Sequence, residues 1–437
     1  MKKKILILND RFPLRDVLIN LGDRALSIGL YQVLQRTLDC EIISGGWKNF
    51  PYFNLRRFRR EKSYPNIESI FNKWFSEVTH YSRKRVERER DISNFLDKSI
   101  ILKNPVFNRI EGRVKAYFSR SLVETLKPFI LRKYYSHQLI EKIKRADLVL
   151  YSGAALVSDR FSFYLPMGMF ECFLAKKLNK KVVALNQTID IEDPLNFNMV
   201  SSVYRMMDLH MTREPLSKKR LLNMGVEENR VITSCDPAFA LNINVNEGLH
   251  DIEEKEGIGQ GNVGLVIRGD NPAIDYDTWV RVINDIRQNY GKKVFFLFTC
   301  MAHDDHVYRK LSRKCGILRL SKPYDFPVLI NLIRKFDLII TDRYHAAIFS
   351  ILAHTPVLPL SPQFKTEKTN GLFALFDYPV KVLPHVREDT YDQMRKNITY
   401  LVKKKEEIRE ILSKASIVLK DRCENDFRTM SKMLEEL

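Results

Sequence analysis

The stretch DLIITDRYHAAIFSILAHTPVLPL, residues 337–360, decides the fold. An apolar run ends at Thr341, the charged residues Asp342 and Arg343 follow, and a segment of small and apolar side chains leads to a second apolar run. Strand, helix and strand in this order predict a parallel βαβ unit. Ligands of such sheets bind beyond the carboxyl ends of the strands, so Arg343 and His345 are expected at the mouth of a binding site.

The same alternation of apolar runs and helical periodicity extends along most of the chain. The predicted strands are 5–8, 41–44, 147–152, 181–185, 209–212, 230–234, 263–267, 293–299, 316–320, 337–341, 357–360 and 380–383. This pattern predicts two doubly wound, Rossmann-like α/β domains. We expect a first domain at 1–244, a polar linker at 246–262, a second domain at 263–388, and charged C-terminal helices at 389–437 that pack back on the first domain.

Positive charge is concentrated in one segment of the first domain. Residues 51–146 carry 23 Lys and Arg against 10 Asp and Glu, so this segment supplies 13 of the 19 net positive charges of the chain. Its interleaved aromatic residues predict a basic helical insertion. Clustered cations bind nucleic acid, anionic membrane surfaces or polyanionic substrates, and charge alone does not distinguish these partners.

Composition argues against several other classes of protein. No apolar run approaches the ~18 residues of a membrane-spanning helix, and the opening KKKILILND predicts a buried strand rather than a secretory signal. The six cysteines form no C-x-x-C pair, which favours a reducing cytoplasm over a disulfide framework. The nearly consecutive AHDDH, residues 302–306, predicts a helix cap at Asp304 or Asp305 rather than a metal site.

Three motifs in order carry a resemblance to a known family. They are NLGDRALS at 20–27, YSGAALVSD at 151–159 and TDRYHAAI at 341–348. Together with TREPLSKKRLLNMGV, SCDPAFAL (containing Asp236) and KTEKTNGL, they resemble the polysaccharide pyruvyl transferase family across nearly the whole chain. Ser152 and the segment after Gln187 depart from the family pattern by lacking a usual glycine.

The resemblance implies an activity and its site residues. The chain would have a glycosyltransferase-B-like fold, with two domains facing a cleft. It would move a pyruvyl group from phosphoenolpyruvate to a sugar of a cell-surface polysaccharide or its lipid-linked precursor, forming a ketal without a further cofactor. His345 would be catalytic, and Arg343, Arg268 and Lys368 would bind the donor. The acceptor-binding or cleft-lining residues would be Asn20, Gly22, Asp23, Gly153, Asp159 and Gln187.

Purely structural interpretations compete with each assignment. Asp342 caps helices readily, His345 fits an apolar core, Gly22 permits a tight turn and Arg268 fits a solvated strand end. Rival functions are a nucleotide-sugar-dependent glycosyltransferase and a non-enzymatic polyanion-binding protein. No nucleic-acid-binding motif is apparent, so nucleic acid is not an expected partner. The basic insertion favours peripheral contact with the inner membrane face, and a solvated helical subdomain is its alternative.

Overall fold

A computed structural model of the chain describes residues 2–8, 20–45, 139–152, 157–159, 165–243, 249–258, 261–271, 274–361 and 366–436. The strands are β1 Lys3–Leu8, β2 Cys40–Ser44, β3 Leu148–Ser152, β4 Lys181–Gln187, β5 Leu209–Thr212, β6 Val231–Thr233, β7 Asn262–Val266, β8 Val294–Phe296, β9 Leu318–Arg319, β10 Phe336–Thr341 and β11 Val357–Pro359. The helices are α1 Leu21–Thr37, α2 Leu165–Lys177, α3 Pro194–Tyr204, α4 Pro215–Asn223, α5 Leu249–Glu256, α6 Tyr276–Tyr290, α7 Met301–Cys315, α8 Phe326–Ile333, α9 Tyr344–Leu352, α10 Thr366–Phe373, α11 Tyr391–Lys403 and α12 Lys405–Glu436.

The strands form two sheets. One has six strands in the order β2-β1-β3-β4-β5-β6, and the other has five in the order β11-β10-β7-β8-β9. The pairs β1–β2, β1–β3 and β3–β4 in the first sheet are parallel, and so are all four pairs of the second. Central strands such as β3, β7 and β10 are buried along their whole length, as expected of strands covered on both faces. The predicted α/β class is therefore confirmed.

Two compact units divide the described chain. The first comprises the described parts of Met1–Asp10, Cys40–His210 and Leu221–Arg230, and the second those of Arg11–Asp39, Met211–Arg220 and Val231–Leu437. Helix α1 thus belongs to the same unit as the C-terminal half. The domain bounds inferred from sequence stay predictions. The predicted insertion 51–146 lies outside the described residues up to 138.

The second unit contains a contact network that brings distant segments together. Helix α1 packs against the short turn Pro237–Ala240, against α12 and against α9. The 32-residue α12 has charged residues on its outer side and a buried stripe that includes Leu412, Leu419 and Phe427, so the charged C-terminal helices predicted from sequence have a substantial apolar face. Because α1 is held by this stripe and by the Pro237–Ala240 turn, its amino end has a fixed position beside α9.

One sequence prediction of secondary structure was wrong. Residues 380–383 form no strand: Leu383 only bridges Leu360. Prolines at 379 and 384 flank the segment and cannot donate to a ladder. The stretch 246–262 stays a predicted domain boundary, and it contains the helix α5, which the sequence did not predict. Its glutamates make tertiary contacts that apolar periodicity does not report, such as the 3.2 Å ion pair from Glu253 to Lys335.

Within the part of the chain that is described, no helix is both long and apolar enough to cross a membrane.

Candidate active site

The turn between β10 and α9 displays the residues of the R-x-H motif. Thr341, the last residue of β10, donates its hydroxyl to the carbonyl of Val266 at 2.9 Å and accepts the N–H of Arg343 at 2.9 Å. Arg343 has extended backbone angles and is the N-cap residue of α9, but its side chain makes no cap hydrogen bond. The first N–H groups of a helix have no partner within the helix, so this amino end suits an anion.

His345 lies against the amino end of α1, although Gly22 and His345 are 323 positions apart in the sequence. A β-carbon built on Gly22 would lie 2.1 Å from Nδ1 and 2.4 Å from the β-carbon of His345. Only glycine fits there without displacing the imidazole. Asn20 caps α1 by accepting the N–H of Gly22 at 3.1 Å, and Leu21 donates to the carbonyl of Thr299 at 2.8 Å. The NLGD and RYH motifs therefore belong to one site.

Asp236 faces the other side of the imidazole. Its Oδ2 lies 2.8 Å from Nη1 of Arg213 and 3.6 Å from Nε2 of His345, while Oδ1 accepts the N–H of Ala238 at 3.0 Å. The side chains of Asp236 and Arg213 are fully buried. Burial opposes ionisation of Asp236, but its interaction with His345, the charge of Arg213 and the Ala238 hydrogen bond outweigh this and hold the pKa of Asp236 well below its ordinary range.

The imidazole of His345 is buried and weakly tethered. At 3.6 Å, Nε2 is beyond hydrogen-bond distance of Asp236, and it has no hydrogen-bond partner among the described residues. Burial lowers the pKa of His345 below 6.5, Asp236 and Asp23 act to raise it, and Lys368 lowers it further. His345 is therefore neutral near pH 7 in the free protein, where its charge responds to any anion that binds beside it.

Arg343 forms a buried ion pair with Asp304, in the first turn of α7. Its Nη2 donates to Oδ1 of Asp304, whereas its Nε has no hydrogen-bond partner within the described residues. Asp304 also accepts the N–H of Gly269 at 3.0 Å and that of Cys300 at 3.3 Å. The sequence predicted a helix cap at Asp304 or Asp305, but the N-cap residue of α7 is Cys300, and Asp304 lies in the first turn of the helix. The sequence did not predict the ion pair of Asp304 with Arg343.

Arg268 lies near the same turn. Its backbone N–H donates to Oδ1 of Asp342 at 2.7 Å, and its guanidinium forms two hydrogen bonds to Asp270, at 2.9 and 2.7 Å. Burial raises the pKa of Asp342 to about 6, and the charges of Arg268 and Arg343 act against this rise. The structure thus joins Arg268 and Arg343 through neighbouring carboxylates, so each guanidinium already has an anionic partner.

Lys368 completes this group through an aromatic contact. Its Nζ lies 4.1 Å from the ring centre of Tyr344, and the guanidinium carbon of Arg213 lies 4.9 Å from the same centre. Tyr344 in turn meets the His345 ring edge to face at 5.3 Å. Because Arg213 is already paired with Asp236, Lys368 is the further cation that this cluster places beside Tyr344 and His345.

Three predicted acceptor residues lie elsewhere in the chain. Asp159 accepts the N–H groups of Glu192 and Asp193 at 2.6 and 2.8 Å and the amide of Asn196 at 2.7 Å. Gln187 donates to the carbonyl of Tyr151 at 3.1 Å and accepts the hydroxyl of Tyr204. Both residues belong to the first unit, where Asp159 holds the start of α3 and Gln187 contacts Tyr204 at its end. Gly153 lies outside the described residues.

Sequence reasoning assigned no role to Asp236 or Arg213, although both stand in fragments that resemble the family. Their positions in the sequence could have indicated that they form an ion pair. Each charged residue follows a predicted strand within three residues, and a charge that is buried at a strand end requires a partner. Among the residues that the structure describes, no group of His, Cys, Asp and Glu is arranged to hold a metal ion.

Comparisons with known proteins bear on both fold and family. The sequence model of the family described as polysaccharide pyruvyl transferase matches residues 20–363. No curated protein matches the chain.

Several solved structures are similar in fold. A putative UDP-N-acetylglucosamine 2-epimerase from Listeria monocytogenes is 13% identical with a TM-score of 0.55, covering 100% of this chain and 98% of its own. The UDP-GlcNAc 2-epimerase from Neisseria meningitidis, bound to UDP-GlcNAc, is 11% identical with a TM-score of 0.52, covering 100% of both chains. HepE from Anabaena, in complex with UDP, is 10% identical with a TM-score of 0.52 and equal coverage. At these identities the likeness shows the fold alone, and it confirms the predicted glycosyltransferase-B-like class.

Proposed function

Because the chain belongs to the polysaccharide pyruvyl transferase family, we propose that it transfers the pyruvyl group of phosphoenolpyruvate to two hydroxyls of a sugar and so forms a ketal. The observation that carries the proposal is the meeting of the RYH and NLGD motifs at His345, beside the uncapped amino end of α9. Phosphoenolpyruvate bears a carboxylate and a phosphate, and the second unit offers clustered guanidinium groups for both.

Arg343 and Arg268 are the proposed donor-binding residues, with Lys368 as a third. In the free protein Asp304 and Asp270 keep the two guanidinium groups oriented. A phosphate brings more charge than a carboxylate and accepts more hydrogen bonds, so it competes well for the remaining donors, including Nε of Arg343. The carboxylates of Asp304 and Asp270 would keep their ion pairs with the arginines while the phosphate binds, and the amino end of α9 would stabilise the anion further.

His345 is the proposed proton carrier. Binding of the anionic donor places negative charge near the imidazole, which raises its pKa and favours the protonated form. The imidazolium gives its proton to the methylene carbon, and a sugar hydroxyl attacks the adjacent carbon. The first hydroxyl returns a proton to the imidazole, the second hydroxyl displaces phosphate, and its proton leaves with the phosphate. One proton is thus recycled through His345 in each turnover.

The acceptor in this proposal is a sugar of a cell-surface polysaccharide or its lipid-linked precursor, and Asn20, Gly22 and Asp23 of the second unit are its proposed binding residues. The basic composition of 51–146 supports a location in the cytoplasm at the inner membrane face, since clustered lysines and arginines are attracted to anionic lipids. Binding to anionic vesicles that weakens as salt rises is the expected result, and salt-independent binding contradicts this location.

The decisive experiment measures phosphate release from phosphoenolpyruvate against a panel of sugar acceptors. We expect release that depends on one acceptor class, and mass spectrometry of that product should show one added pyruvyl ketal. His345→Gln should abolish release, whereas Lys335→Gln, which removes a surface ion pair with Glu253, serves as the matched control.

Failure of every acceptor, combined with thermal stabilisation by UDP and none by phosphoenolpyruvate, would instead favour a nucleotide-sugar-dependent glycosyltransferase.

A further inference from the structure

We propose that Asp236 is a positioning residue that holds the proton of His345 on Nε2, so that Nδ1 is the nitrogen that exchanges a proton with the substrate. This inference rests on the proposed function for the identity of the substrate. The assignment of the two nitrogens, however, concerns the free protein and is tested without any substrate.

The two ring nitrogens have different surroundings. Nε2 faces the buried carboxylate of Asp236 at 3.6 Å, and Nδ1 faces the α-carbon of Gly22, where a side chain would lie 2.1 Å away. A carboxylate accepts and never donates when ionised, so it favours the tautomer with hydrogen on Nε2. Any side chain at position 22 would overlap the imidazole on its Nδ1 side. Because Nε2 is turned toward the carboxylate, Nδ1 is the nitrogen left to exchange a proton.

Arg213 keeps Asp236 in the ionised state that this role requires. The guanidinium is permanently charged and lies 2.8 Å from Oδ2 of Asp236, with both side chains fully buried. Ala238 donates its N–H to Oδ1 at 3.0 Å, so rotation of the carboxylate is restricted. The hydrogen-bond geometry therefore fixes Oδ2 as the oxygen shared between Arg213 and His345.

Two other elements supply the remaining charged groups near His345. Asp23 on α1 and Asp236 favour the charged imidazole, and Lys368 on α10 disfavours it, while Tyr344 on α9 contributes an aromatic ring. Within the described residues, Nε2 itself has no hydrogen-bond partner. Asp236 is accordingly the acceptor toward which the Nε2 proton points.

The distance of 3.6 Å exceeds that of a hydrogen bond. Catalytic hydrogen bonds are often long in free enzymes and shorten when substrate binds. Protonation of Nδ1 makes both nitrogens donors, which strengthens the attraction of Nε2 for Oδ2. The proton that reaches the methylene carbon of the donor then comes from Nδ1, the first sugar hydroxyl restores it there, and the Nε2 proton is never transferred.

The first test is nuclear magnetic resonance of the full chain labelled with ¹⁵N-histidine, without ligand and above the pKa of His345. Comparison with His345→Gln identifies the His345 signals among the nine histidines. We expect the long-range ¹H–¹⁵N pattern of a protonated Nε2 and an unprotonated Nδ1. The opposite tautomer overturns the proposal, and the measurement needs no variant of Asp236 to fold.

The second test uses Asp236→Asn, whose amide donates toward Nε2 and so moves the proton to Nδ1. We expect kcat to fall by about 10³- to 10⁴-fold with little change in KM for phosphoenolpyruvate, as for a histidine held in the wrong tautomer. The matched control is Asp337→Asn, which removes another ion-paired carboxylate of the same unit, at the opposite end of β10. It should lose stability without a change in kcat.

Equal loss of kcat in both variants, or an unchanged tautomer in a folded Asp236→Asn protein, contradicts the proposal. Absence of phosphate release from the unmodified protein with every acceptor contradicts the proposed function instead, and the tautomer measurement still stands. If Asp236→Asn does not fold, the labelled unmodified protein decides.

Discussion

Gly22→Ala tests the contact on which the site depends. The new methyl carbon would lie 2.1 Å from Nδ1 of His345, and ordinary contact begins at 3.4 Å, so the ring or the helix has to move by about 1.3 Å, the difference between the two. A displacement of about 1 Å at a catalytic group costs roughly 100-fold in rate, or about 2.7 kcal/mol in the activation free energy. We therefore expect phosphate release from phosphoenolpyruvate to fall about 100-fold.

Gly22→Ala also has a local effect on α1 that opposes the loss of stability caused by the clash. Alanine is favoured over glycine inside a helix by about 1 kcal/mol, so α1 alone would gain stability. If the contact exists, Gly22→Ala lowers the free energy of unfolding despite this gain, and His345→Ala in the same chain restores it, because the ring that clashes has gone.

Gly264→Ala provides the matched steric control. It places a methyl carbon 2.5 Å from Cδ1 of Ile339 in the core of the same unit, so it should lower stability with little effect on kcat. Additive stability effects of Gly22→Ala and His345→Ala in urea unfolding, with phosphate release unchanged by Gly22→Ala, would refute the reasoning.

Four further outcomes are expected. Glu171 is fully buried, and burial raises its pKa from 4.5 to about 8. Between these values the folded chain keeps a proton that the unfolded chain loses, so the free energy of unfolding is greatest below pH 4.5, falls until about pH 8, and should be about 3 kcal/mol lower at pH 7 than at pH 4.5. Urea unfolding should show that this pH dependence is absent in Glu171→Gln. His345→Gln should reduce phosphate release about 10²- to 10⁴-fold with an unchanged circular dichroism spectrum, and an active variant contradicts its role. Asp304→Asn leaves Arg343 buried without its anionic partner and should lower the free energy of unfolding in urea by about 3 to 5 kcal/mol. Arg343→Lys should chiefly raise KM for phosphoenolpyruvate, because lysine cannot replace a fixed fork of donors.

Much of the fold followed from local patterns. Eleven of the twelve predicted strands are present, since buried parallel strands appear in sequence as uninterrupted apolar runs. The one failure has a local cause that such runs do not report, because flanking prolines deny residues 380–383 a ladder. The helix α5 was not predicted, and it makes charged contacts such as that of Glu253 with Lys335. Length and charge pattern also predicted the two helices α11 and α12 correctly.

The candidate site was only half visible in the sequence. The RYH and NLGD motifs mark chain positions where a strand or loop passes into a helix, and their chemistry points to an anion and a proton carrier. The partners of these residues were not visible, because Asp304 and Asp236 follow other strands and look like ordinary helix caps. Their second contacts, to Arg343 and His345, depend on which strand ends are neighbours.

By itself, the sequence determined that alternating strands and helices form two α/β units, that Arg343 and His345 follow a core strand, and that 13 of 19 net charges belong to one segment. Only the tertiary structure decided that Gly22 touches the His345 ring, that Asp236 lies between that ring and Arg213, and that each predicted donor-binding arginine has a carboxylate partner. The physical reason is that periodicity is a property of neighbours along the chain, whereas charge pairing and close packing depend on the order of strands in a sheet, which places residues hundreds of positions apart within a few ångströms.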